Sequence, residues 1–310
     1  MRYAVMVEPQ RGLAYEDLLA VARTTEAAGY EALLRADHLA SFGAGAERDA
    51  TEAWTTLAGL ARETTRIRLG VLVSPITFRH PALLARMAAT VDRMSGGRLE
   101  VGLGAGWVET EHRRNGISFP PAGIRTAMLD EAATLLRRLW TGEAVTFAGT
   151  HYQVDGAQVL PIPVQRPHPP LILGGQGGPR GLSLAARHAN EYNFLAISPE
   201  GVEERRPGVI AACEQAGRDP ATLTLSVTVA VTVADDPAIR QRREAAARAE
   251  TGPLMDERHA SWIRGDGETL RERVAAYERA GISRVILQDF IPHDATLLTE
   301  VATMLGLAPR

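Results

Sequence analysis

The sequence predicts an α/β chain folded as a (β/α)8 TIM barrel with loop insertions at its C-terminal face. Three observations carry this. Short apolar runs alternate with helical patterns along the whole chain. All of these runs except one hairpin are separated by a helix, which makes successive strands parallel. Eight such strand–helix units fit in 310 residues, the length of a barrel of ~250 residues with insertions. No composition shift marks a second domain, so residues 1–310 read as one domain.

Tyr3–Val7 forms the first strand. The helix over Tyr15–Ala28 places Leu18, Leu19, Ala22 and Thr25 at helical spacing and stops at Gly29. Strand Glu31–Leu34 and helix Ala53–Glu63 follow, then strand Ile67–Val73. The next helix opens at Pro81, whose missing N–H is harmless in a first turn. Strand Leu99–Leu103 leads through a long polar loop to helix Arg125–Trp140, which Gly142 stops. Val145–Val154 alternates apolar and polar residues around Gly149-Thr150 and reads as a β-hairpin. The proline-rich Pro161–Pro170 is too stiff for a helix and feeds strand Leu171–Leu173. Helix Arg180–His188, strand Tyr192–Ala196 and a helix ending near Gly217 come next. The longer strand Leu223–Val233 is followed by a polar helical insertion, Ala238–Glu250. Helix Thr269–Ala280, strand Arg284–Leu287 and helix Asp294–Leu305 close the chain. Extra length sits in Leu39–Glu52, Val108–Gly123, Glu143–Pro170 and Ala238–Gly267, and such loops build a barrel's substrate pocket.

Composition narrows the partners. A net charge of -3 gives no reason to expect nucleic acid or an acidic membrane surface. All 34 basic residues are arginine, which excludes lysine Schiff-base chemistry and a P-loop lysine. Cys213 is the one cysteine and reads as a small buried hydrophobe. No secretory leader or bilayer-spanning run is expected, and a cytoplasmic location fits.

Three strand ends carry candidate chemistry. Asp37-His38 closes the second strand, so the histidine points into the barrel mouth and the carboxylate beside it could set its tautomer. A solvated loop histidine is the plainer alternative. Gly102, Gly104 and Gly106 end the fourth strand before Trp107, clearing a shelf where a flat ligand can lie against backbone. The dinucleotide fingerprint needs a sixth-position glycine where Trp107 stands; glycines that merely taper the barrel mouth are the other reading. Gly174-Gly175-Gln176-Gly177-Gly178 opens a helix, where successive N–H groups and Arg180 could hold a phosphate, or the run is a flexible turn. No metal-binding spacing and no nucleophile elbow appears. Glu109 and Glu111 follow Trp107 but point apart if helical. His112 and His188 read as exposed, and Phe42, Trp54, Phe119 and Trp262 as pocket wall or core.

The ordered series Ala36-Asp37-His38, Ile67-Arg68-Leu69-Gly70, Phe78-Arg79-His80-Pro81, Ser95–Trp107, Phe119-Pro120-Pro121, Leu139–Glu143 and Pro169–Gly175 resembles the luciferase-like monooxygenase superfamily. More narrowly it resembles the coenzyme F420-dependent oxidoreductases. That resemblance implies a barrel with a deazaflavin, or alternatively FMN, across its C-terminal face, a small-molecule substrate and a homodimer. It implies His38 as the catalytic acid/base, with Asp37 beside it. Leu72, Val73 and Ser74 match a strand-three bulge that often carries a non-prolyl cis peptide. Gly104, Ala105, Gly106 and Trp107 match the cofactor shelf, and Gly174, Gly175, Gln176, Gly177 and Gly178 the phosphate loop. Trp107 replaces the glutamate of F420-dependent glucose-6-phosphate dehydrogenases, so sugar-phosphate activity is not implied. Where the family often reads Ala-Asp-Gly before Trp-Asn, this chain has Ala189-Asn190-Glu191-Tyr192-Asn193, which leaves the role of Asn193 open. The expected activity is hydride transfer between F420 and an unidentified small organic molecule. The rivals are an FMN-dependent monooxygenase and a non-catalytic flavin-binding protein.

Overall fold

A computed structural model describes residues 1–41, 48–251, 261–294 and 296–308. The elements run β1 (Arg2–Val7), α1 (Tyr15–Ala27), β2 (Ala32–Arg35), α2 (Ala53–Glu63), β3 (Arg68–Pro75) and α3 (Pro81–Met94). β4 (Leu99–Gly104), α4 (Glu109–Arg114), α5 (Ala122–Leu139), β5 (Val145–Ala148), β6 (Gln153–Ala157) and β7 (Leu171–Gly175) follow. The last third holds α6 (Pro179–His188), β8 (Glu191–Leu195), α7 (Pro199–Gln215), β9 (Thr224–Val233) and α8 (Pro237–Thr251). β10 (Ile263–Gly265), α9 (Gly267–Arg279), β11 (Arg284–Asp289) and α10 (Leu297–Met304) complete it. Strands β1, β2, β3, β4, β7, β8, β9 and β11 pair in parallel, and β9 pairs with both β8 and β11, closing the expected (β/α)8 barrel.

Side-chain alternation divides each strand between two cores. Val5 and Val7 of β1 face outward and pack with Leu33, Leu69, Val71, Val101 and Leu103 beneath the helices. Ala4 and Met6 face inward and meet Ala32, Leu34, Leu72, Ile172 and Ile286 inside the barrel. At the N-terminal end the barrel is closed by charge: Arg284 donates to Glu100 at 2.8 Å and Glu191 at 3.1 Å, all three buried. The open end is therefore the C-terminal one, where the insertions lie.

Several helix starts follow their sequence signals. Pro81 sits in the first turn of α3 after a His80 cap, and the Ser198 hydroxyl accepts from Gly201 N–H at the start of α7. The hairpin forms as β5–β6, three residues longer than expected. Short α4 arises inside what reads as a polar loop, and three-residue β10 adds to the end of β9. Cys213 is buried, as expected. Among the described residues no helix is long and apolar enough to cross a membrane.

Candidate active site

The end of β2 presents Asp37 and His38 to the open face. Asp37 is almost fully buried and is not the partner of His38. Its Oδ2 accepts from the Ser74 hydroxyl at 2.8 Å and from Arg79 at 2.5 Å, and its Oδ1 accepts from Arg79 at 3.1 Å. Trp54 in turn donates its indole N–H to Ser74 Oγ at 2.9 Å. Arg79 also pairs with Glu52. Burial works against both of these charges. Asp37 and Glu52 nevertheless hold the Arg79 guanidinium above its usual range. For Glu52, hydrogen bonds from Thr55 and Arg79 outweigh burial and bring its pKa down to about 2. This network fixes the β2 and β3 ends against each other.

The histidine's partner is Glu111, on α4. Its Oε1 lies 2.9 Å from His38 Nδ1, and its Oε2 accepts the Leu39 N–H at 3.0 Å. A carboxylate accepts, so His38 carries a proton on Nδ1 and presents Nε2 as the other ring nitrogen. Glu111 is buried while Glu109 is exposed, so the two do point apart. His112, expected to be exposed, is fully buried. Its Nδ1 lies 2.7 Å from the Val108 carbonyl and its Nε2 2.7 Å from Thr77 Oγ1. The carbonyl can only accept, so Nδ1 carries the proton and Nε2 accepts from Thr77. His112 thus pins α4, and with it Glu111, to the β3 end.

A cavity of about 330 Å³ opens beside His38. Asp37, His38, Leu72, Val73, Gly104, Ala105, Gly106, Trp107, Gly174, Gly175 and Gln176 line it. Trp107 stands at its mouth, 59% exposed and edge-on to His38 at 6.0 Å between ring centres. The Leu72–Val73 peptide is cis, and the pairing of β3 with β4 shifts register between Val71 and Ser74. Ser74, Gly177 and Gly178 do not line the cavity. Ser74 lies behind the wall on Asp37. Gly177 turns away at φ +78°, its N–H donating to Tyr192 Oη at 2.9 Å. Arg180 is exposed and its guanidinium lies toward Gly123. The guanidinium over the Gly174–Gly178 loop is that of Arg205, whose Nε donates to the Gln176 carbonyl at 2.9 Å.

Gly102 and Gly104 of β4 also meet a steric demand behind the cavity wall. A Cβ on Gly102 would come within 2.3 Å of the Val71 carbonyl, and one on Gly104 within 2.4 Å of Val73 Cγ2. They make room for the β3 bulge, whose Val73 side chain then fronts the cavity. Gly106 adopts φ +80°, a left-handed turn that favours glycine.

The opposite wall was not legible in advance. Glu8 at the end of β1 accepts from Gln288 Nε2 at 2.7 Å and from Arg11 Nε at 2.6 Å. Asn193, fully buried, donates to Ser226 Oγ at 2.9 Å and accepts from Thr228 Oγ1 at 3.0 Å. Glu8, Gln288, Asn193 and Thr228 all line the cavity. Trp54, Phe119 and Trp262 do not: Trp54 is core, Phe119 packs on His112 and Arg125, and Trp262 stacks on Phe290. Phe42 lies outside the described residues. Among the described residues no cluster of metal-ligating side chains occurs. The site therefore offers small and apolar groups on one side, amide and hydroxyl groups and the Glu8 carboxylate on the other, and a carboxylate-oriented histidine at the edge. That fits a flat heteroaromatic ring with polar edges and a proton exchanged at its rim.

The family model described as luciferase-like monooxygenase matches residues 1–301. The pyrimidine monooxygenase RutA of Stutzerimonas stutzeri is 29% identical over 311 residues, which cover 96% of this chain and 84% of that protein. An F420-dependent secondary alcohol dehydrogenase, solved with an F420–acetone adduct, superposes with a TM-score of 0.81 at 20% identity over 98% of both chains. Monooxygenase RslO1 from Streptomyces bottropensis superposes at 0.82 with 24% identity over 99% of both. At these identities the two structures speak to the shared fold.

Proposed function

The chain belongs to the luciferase-like monooxygenase family, and from that premise we propose an F420-dependent oxidoreductase that moves a hydride between the deazaflavin and a small organic substrate. The observation that carries it is the His38–Glu111 pair at the rim of a cavity of about 330 Å³ whose walls are small and apolar on one side and polar on the other. Val73, Gly104, Ala105, Gly174 and Gly175 would support the ring, and Asn193, Thr228, Gln288 and Gln176 would meet its polar edges. When bound, the deazaflavin supplies the hydride chemistry. His38 exchanges the accompanying proton at Nε2, while Glu111 holds Nδ1–H and stabilises the ring when it becomes a cation. Trp107 walls the mouth and limits water at the reacting edge.

A second reading, an FMN-dependent monooxygenase, is favoured by the identity to RutA. Mixing the protein with reduced F420 or reduced FMN in an oxygen electrode separates the two. Oxidation of reduced F420 by a panel of carbonyl acceptors without oxygen uptake supports the first. Substrate-dependent oxygen uptake with reduced FMN, and inertness toward F420, replaces it with the second.

A further inference from the structure

A larger cavity lies elsewhere on the same face. Its volume is about 630 Å³, and it sits between α8 and the segment after β11, with Arg11 and Arg48 on its near side. These segments follow the seventh, eighth, first and second barrel strands. The loops after strands seven and eight are where barrels of this class often hold phosphate.

The lining is amphipathic. Ile239, Phe290, Ile291 and Pro292 give it an apolar floor, and Arg11, Arg48, Arg242 and Arg243 set four cations against the two carboxylates of Glu250 and Asp294. The cations are not equivalent. Arg243 is buried and spent on Asp294, Glu300, Thr296 and the Val233 carbonyl. Arg11 lies over the Phe290 ring at 5.1 Å and gives its Nε to Glu8. Arg48 pairs with Glu250. Arg242 is exposed and, among the described residues, makes no hydrogen bond or ion pair. A charged donor facing an apolar floor selects an anion with a hydrocarbon body, because each half meets its own kind of surface.

We propose that this cavity is a binding site for a small amphipathic organic anion. Its carboxylate or phosphate pairs with Arg242, and its apolar body lies along Phe290 and Ile291. Glu8 lines the cavity beside His38 and Arg11 lines this one, so their 2.6 Å ion pair is the boundary between the two. The anion is the substrate of the reaction proposed above, held against that boundary. The site itself is independent of the cofactor; only the word substrate rests on the function proposed above.

Trp262 stacks on Phe290 with ring centres 5.6 Å apart and reports on occupancy. The test titrates octanoate, with octan-1-ol as the neutral control, against the protein without added cofactor and reads tryptophan fluorescence. Octanoate is expected to give a saturable change that is lost in Trp262→Phe and to bind about tenfold more tightly than octan-1-ol. Arg242→Gln, at an exposed side chain with no hydrogen bond to lose, is expected to erase that preference and leave octan-1-ol binding unchanged. Equal binding of acid and alcohol, an octanoate signal that survives Trp262→Phe, or an Arg242→Gln variant that keeps the preference overturns the site. Octanoate binding by a protein that binds neither F420 nor FMN sustains the site and overturns the substrate role. Cofactor binding without any octanoate signal overturns the site and leaves the proposed function untouched.

Discussion

Replacing Gly104 with alanine puts a methyl carbon 2.4 Å from Val73 Cγ2, about 1 Å inside the 3.4 Å at which ordinary contact begins. Val73 has little room to retreat on the barrel side. The β3 backbone lies close against β4 here: a Cβ built on Gly102 would stand 2.3 Å from the Val71 carbonyl oxygen and 3.2 Å from Leu72 Cα. The remaining direction is into the cavity. Overpacking of this kind costs about 1–3 kcal/mol. For a chain of 310 residues that lowers Tm by about 1.5–5 °C. Because Val73 fronts the candidate ring site, the same displacement weakens ring binding by about tenfold or more. Gly174→Ala is the matched control: its Cβ meets Val73 Cγ1 at 3.6 Å and the Asn193 carbonyl at 3.8 Å, both ordinary contacts. Differential scanning fluorimetry and a cofactor titration on the two variants read both effects. If Gly104→Ala is as stable as Gly174→Ala and binds as well, Val73 is not the wall and the account of the glycine run fails.

Glu111→Gln leaves His38 Nδ1 and the Leu39 N–H competing for one acceptor. Turnover should fall about 10- to 100-fold with cofactor affinity nearly unchanged; steady-state kinetics beside a binding titration decide it, and an unaltered kcat removes the pair from the reaction. Arg79→Gln strands the buried Asp37 carboxylate, which should cost about 3–5 kcal/mol in urea denaturation; a loss below 1 kcal/mol would show that Ser74 alone satisfies Asp37. Burial raises the pKa of Asp289 from 3.8 to about 7. The folded state then holds a proton that the unfolded state has lost, so this group's contribution to stability declines as pH rises from about 4 to 7 and is flat above. Asp289→Asn should therefore gain Tm relative to the parent across that window, and parallel pH profiles would contradict the assignment.

Local chemistry made the barrel and half of the site legible. The alternation in Tyr3–Val7 sorts Ala4 and Met6 inward and Val5 and Val7 outward as the structure has them. The strand-end positions of His38, Gly104–Trp107 and Gly174–Gln176 converge on one cavity because parallel strands all end on the same face. What escaped depended on distance along the chain. Glu111 reaches His38 across 73 residues, and nothing local distinguishes it from Glu109. The one available signal was its place just beyond the fourth strand, where a carboxylate faces the barrel mouth. Asp37 was the obvious partner for His38 by adjacency, but neighbouring residues at a strand end project to opposite sides, and Asp37 went to Arg79. Glu8 and Gln288 are brought together only by closure of the barrel, which pairs its first and last strands. The β4 glycines were read by what their absence of side chains leaves open. Gly104 does line the cavity, and the Val73 side chain packs close to where its Cβ would stand.

On the function proposed above, the cavity between Val73, Trp107 and Gly174 holds the ring of a flavin or deazaflavin. A fluorescence titration of F420 and FMN into the protein and into Gly174→Trp tests it most directly. Residue 174 is exposed at the end of β7 and lines the cavity, so an indole there fills the ring site without entering the core. One of the two should bind the parent saturably, with its affinity lowered at least tenfold in a Gly174→Trp variant that melts at the same temperature. Equal affinity in parent and variant would place the ring elsewhere and contradict the claim.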